Sequence, residues 1–111
     1  MTIREIYEKV CLKHPIPERI FFHRFNDTVA EIMAMFPEDI VLIDSQEWTP
    51  IMSLKGLVQI RPLFIPGIVD NILYLSGLGE QYKADFLDKT NNAGVRYKST
   101  NTAKVIKRNT W

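Results

Sequence analysis

Two histidines, one cysteine, three carboxylates around an apolar run and one Gly-Leu-Gly turn are the residues whose types could do chemistry in this 111-residue chain. His14 and His23 stand nine residues apart. A zinc site needs three or four converging ligands, and no third one lies nearby at metal spacing. Cys11 adjoins Val10 on an apolar helical face. A nucleophilic thiol would want cationic, partly exposed surroundings, so this one reads as a buried structural thiol. Glu38, Asp39 and Asp44 flank Ile40-Val41-Leu42-Ile43. Two carboxylates can serve acid–base chemistry, yet Glu-Asp directly after Pro37 also describes a solvated turn. Gly77-Leu78-Gly79 precedes a helix whose N-terminus would suit a phosphate. Glu80 in the first turn repels an anion there, and the glycines read as a helix–helix turn. With no nucleophile–base pair and no ligand set, the residues predict neither an enzyme nor a metal or cofactor site.

The C-terminal segment Tyr97–Trp111 is the more informative stretch. Lys98, Lys104, Lys107 and Arg108 stand there against no acid, so the first 97 residues carry the other ten cations against all 13 acids. Val105, Ile106 and Trp111 are its strongly apolar residues. Ordering backbone costs about 1–2 kcal/mol per residue, and so polar a segment buries too little surface to offset that alone. Aromatic and Arg anchors supply much of the binding energy at interfaces, and Asn101–Lys107 could add as a strand to an exposed sheet edge. Tyr97, Lys104, Val105, Ile106, Lys107, Arg108 and Trp111 are therefore the candidate contact residues. A basic tail also fits nucleic acid, which leaves a small nucleic-acid-binding module as the alternative.

The elements that must position these residues follow from periodicity. Thr2-Ile3-Arg4-Glu5 is a capping box, and Ile3, Ile6, Tyr7, Val10 and Cys11 make one helical face. Pro15 ends that helix, and Pro17 suits the first turn of the next. Phe21, Phe25, Val29, Ile32 and Phe36 form the stripe of a second, central helix that Pro37 stops. Ile40–Ile43 and Leu57–Ile60 read as an antiparallel pair joined by a polar loop, Asp44–Lys55, with Trp48 near its tip. Pro66–Ser76 is nearly apolar all round, as a buried helix is, and Glu80–Val95 is amphipathic with a weak end at Asn91, Asn92 and Gly94. The pattern predicts a mainly α fold. It is a small bundle of about four helices (residues 1–96), with a β-hairpin-like insertion at about 39–61 and an extended C-terminal arm, residues 97–111.

Apolar residues make up 46% and charged residues 24% of the chain, the mix of a single globular domain. One cysteine excludes an intramolecular disulfide and suits a reducing compartment. No window is long and apolar enough to span a membrane, and the polar N-terminus is not a secretory signal.

The order of these parts resembles the head–tail connector adaptor proteins of tailed bacteriophages. It rests on the capped first helix, the second helix with Phe25-Asn26-Asp27 at its middle, and the strand-rich excursion. A Pro-bracketed apolar helix (Pro62–Tyr74) follows, then a glycine turn, a Tyr-containing last helix (Gly79–Phe86) and a C-terminal arm. The resemblance covers nearly the whole chain as pattern, without a diagnostic short motif. It implies a structural adaptor at the head–tail interface of the virion, made in the host bacterial cytoplasm, with no membrane contact. Twelve copies would form a homo-oligomeric ring below the portal protein, with DNA passing through the lumen without specific recognition. The arm would dock on the portal, and the excursion with Trp48 would face the next connector or tail component.

Overall fold

The computed structural model describes the backbone of residues 2–43 and 47–109 and the side chains of residues 2–43 and 47–97. The fold is mainly helical. In chain order come α1 (Ile3–Lys13), α2 (Glu18–Met35), the single turn α3 (Glu38–Val41), α4 (Ile65–Leu75) and α5 (Glu80–Asn109), with a 3-10 turn, Pro62–Phe64, leading into α4.

Each helix starts or stops where its chemistry requires. The capping box of α1 is formed, the Thr2 hydroxyl accepting from the Glu5 amide at 3.3 Å while the Glu5 carboxylate accepts from the Thr2 amide at 3.4 Å. Pro17 and Pro37 are the N-cap residues of α2 and α3. Gly77 and Gly79 adopt φ +87° and +129°, which allows α4 to double back into α5.

The α2 stripe is the centre of the core: Phe21, Phe25, Val29 and Ile32 are fully buried. They meet Ile3, Ile6 and Val10 of α1, Ile68, Ile72 and Leu73 of α4, and Phe86 of α5 in one cluster. Each such side chain stabilises the fold by about 1.5–3 kcal/mol through burial. A polar network runs through it. Asn71 Nδ2 donates to Thr28 Oγ1 (2.8 Å) and to Glu31 (2.9 Å), and Lys83 Nζ bonds Glu31 at 3.2 Å. These contacts tie α2, α4 and α5 together. The α4–α5 approach is close enough that a Cβ at Gly67 would stand 2.7 Å from Thr90 Oγ1.

Two expectations are corrected. The β-hairpin-like insertion does not form. Among the described residues the only β pairing is two isolated antiparallel bridges, Leu42 with Ile60 and Thr2 with Leu57. Pro37 with Glu38 and Asp39 makes a favourable helix start, so Ile40 and Val41 enter the core from the α3 turn instead of a strand. The two runs still meet, through Ile43 N to Gln59 O (2.8 Å) and Arg61 N to Val41 O (2.9 Å). The extended arm is likewise replaced: the backbone of α5 stays helical to Asn109. Gly94 lies inside the helix, against the Phe36 ring where a Cβ would not fit. Beyond it, residues 95–109 contain neither Gly nor Pro, and extending a packed helix costs far less than starting one. Thirty residues make α5 about 45 Å long. That exceeds the molecule's 30 and 21 Å dimensions, so α5 runs along its 54 Å axis.

Candidate docking surfaces

Trp48 was expected at an exposed loop tip, and the structure corrects this. Its indole stacks on Phe25, with ring centroids 6.3 Å apart and planes 22° from parallel. The segment around it is tied down by Asn26 of α2, whose Oδ1 accepts from the Ile51 amide (2.9 Å) while its Nδ2 donates to the Ile51 carbonyl (3.1 Å). Gln59 Oε1 accepts from the Thr49 amide at 3.2 Å. Trp48 thus forms the floor of a hollow of about 650 Å³, lined also by Ile51, Met52, Leu57 and Val58. Met52 and Leu57 carry the exposure, at 86% and 75%. Met52 belongs to the apolar group that surrounds Trp48 in the sequence. Leu57, expected in a strand, makes only an isolated bridge to Thr2, and its side chain is exposed.

Of the residues expected in the arm, Tyr97 alone has a described side chain. It is used within the chain: the Arg61 guanidinium lies 4.5 Å from the Tyr97 ring centroid, and Nη1 donates to the Tyr97 hydroxyl at 3.2 Å. Arg61 Nη2 also donates to the Asp39 carbonyl at 3.0 Å. One guanidinium therefore joins α3, the lead-in to α4 and α5. Lys104, Val105, Ile106, Lys107 and Arg108 follow on the α5 backbone, with side chains outside the described residues. Trp111 lies outside them altogether.

A second apolar surface was missed by the sequence reading. Leu12 is 87% exposed because it falls off the Ile3–Ile6–Val10 face of α1. It borders a hollow of about 430 Å³ with Pro62, Ile65, Pro66 and Val69. A neighbouring hollow of about 570 Å³ holds Leu63, Ala93 and Val95, and the two adjoin at Pro66 and Lys89 as a two-part trough across α1, α4 and α5. Lys89 bonds the nearly buried Asp70 carboxylate at 2.6 Å. That bond holds the Lys89 pKa above its ordinary value.

The residues weighed for catalysis stay apart. His14 caps α1, His23 is exposed on α2, Glu38 and Asp39 are exposed on α3, and Asp44 lies outside the described residues. Cys11 is half-buried with its thiol 3.9 Å from the Ile16 carbonyl. Among the described residues no three His, Cys, Asp or Glu side chains gather as metal ligands, and no helix is long and apolar enough to cross a membrane. No known protein family, curated protein or solved structure matches the chain.

Proposed function

We propose that this chain is a structural adaptor of a tailed-phage head–tail connector, assembling as a ring of about twelve copies and performing no catalysis. The observation that carries the reading is the pair of apolar surfaces on non-equivalent elements of one small helical unit. One lies over Trp48, Met52 and Leu57, the other along Leu12, Pro66 and Val95. Exposed groups of large hydrophobes mark contact sites, and two of them on different faces let one subunit hold two different neighbours at once, as an adaptor must. The C-terminal part of α5 with residues 104–111 docks on the portal, and the Met52–Leu57 surface meets the next tail component.

Electron microscopy of the chain co-expressed with its genomic neighbours tests the class: a ring seated on a portal supports it, and a monomer bound to none of them overturns it. Deleting residues 104–111 is expected to abolish portal docking. The melting temperature should move by no more than about two degrees, on a scale of about 4–8 °C per kcal/mol. A large drop would make that segment part of the core. A steep loss of affinity with salt on a DNA probe, with no ring formed, would favour a nucleic-acid-binding module instead.

A further inference from the structure

The trough across α1, α4 and α5 has an apolar floor and a cationic rim. Leu12, Pro62, Pro66 and Val69 line one half, Leu63 and Val95 the other. Lys9 and Lys13 stand at the first half and Arg96 at the second, with Lys89 shared. The one acid lining it, Asp70, has a side chain only 6% exposed and is already paired with Lys89. Among the described residues Lys9, Lys13 and Arg96 form no ion pair, because the two that exist are Lys83–Glu31 and Lys89–Asp70. Lys13 instead lies over the Tyr82 ring at 5.8 Å from its centroid. Three cations with no ion-pair partner among the described residues therefore rim the apolar trough.

We propose that this trough binds an acidic segment of a partner protein that carries apolar anchors. Leucine- or phenylalanine-sized side chains would sit beside Leu12, Pro66 and Val95. Glu or Asp at the flanking positions would face Lys9, Lys13 and Arg96. Charge complementarity of this kind sets specificity and association rate while the desolvated anchors supply affinity. The chain's own residues 98–111 do not suit the site, since all their charges are positive. The proposal stands independently of the ring.

The test pans a displayed library of 16-residue segments, randomised over Leu, Phe, Ile, Glu, Asp, Lys, Ser and Gly, on the full chain. The expected winners are rich in Glu or Asp with spaced apolar residues. They should bind at least ten-fold more weakly to Lys9→Glu/Lys13→Glu and to Leu12→Asp. All three positions are exposed, but Lys13→Glu also removes the Tyr82 contact. Lys9→Glu alone is therefore included, and binding is compared only for variants whose melting curves show them folded at the panning temperature. Overturning results would be no enrichment, winners without excess acid, or winners indifferent to both variants. Equal binding of polyglutamate or single-stranded DNA would reduce the rim to a plain cationic patch and also overturn the proposal. So would a concentration-dependent rise in sedimentation coefficient abolished by Leu12→Asp, which would assign the trough to a second copy.

Discussion

Phe25 touches Phe21 on one side and carries Trp48 on the other, so one ring joins the core to the floor of the first surface. Phe25→Ala is expected to cost about 3–5 kcal/mol, the usual loss for truncating a buried aromatic. Urea unfolding followed by tryptophan fluorescence measures both the loss and the freed indole. A change below about 1 kcal/mol would mean the α2 stripe does not centre the core. Lys89 gives a pH signature. Its bond to Asp70 raises its pKa above the ordinary 10.5, so the folded state holds the proton more tightly than the unfolded chain does. That stabilisation is complete below about pH 10.5 and fades as the pH rises through the folded value. Melting temperatures across pH 9.5–11.5 should fall more steeply for the parent than for Lys89→Gln. Tyr7, whose phenol is also raised, chiefly by the Cys11 thiol beside it, contributes equally to both proteins.

Between elements, α4 lies close against α5. Gly67→Ala would drive a Cβ to 2.7 Å from Thr90 Oγ1, a hydroxyl that is buried without a hydrogen-bond partner. The substitution should destabilise by about 1–3 kcal/mol, as overpacking does. Thr90→Ala, which removes both the obstacle and the unpaired hydroxyl, should restore most of the loss in the double variant. Additive costs by chemical denaturation would show that α4 and α5 are not held at this distance. Helices α1 and α2 are legible in the sequence because proline stops and a 3.6-residue stripe agree for both, with a capping box added for α1, and α4 is legible as a proline-led, nearly all-apolar run ended by glycines. The insertion is not, because Ile40–Ile43 is a β-branched run whose conformation is decided upstream, by Pro37 and two first-turn acids. Trp48 was misplaced for a similar reason. Nothing local tells that Asn26, 25 residues before Ile51, pins the segment onto α2. The trough escaped notice because Leu12, Leu63 and Val95 are scattered along the chain and meet only in the folded molecule.

At the scale of the molecule, the two apolar surfaces rest on different supports and should respond separately to mutation. On the proposed connector reading, Met52→Asp/Leu57→Asp is expected to leave melting temperature and portal docking unchanged while blocking attachment of the next tail component. Negative-stain microscopy of particles made with that variant should show heads without tails. Tailed, infectious particles would return the Met52–Leu57 surface to an ordinary exposed loop.

The bridge between Thr2 and Leu57 also bears on the order in which the molecule forms. It closes a loop of more than fifty residues, whereas α4 and α5 meet across a turn of four. Closing long loops carries the larger entropy loss and is repaid only when the rest is in place. The α4–α5 hairpin can thus consolidate before the Thr2–Leu57 bridge closes. The amide that reads this closure is Ile3 N, bonded to the Gly56 carbonyl at 3.1 Å, and it is expected to exchange with solvent faster than the amides inside α4 and the first turns of α5.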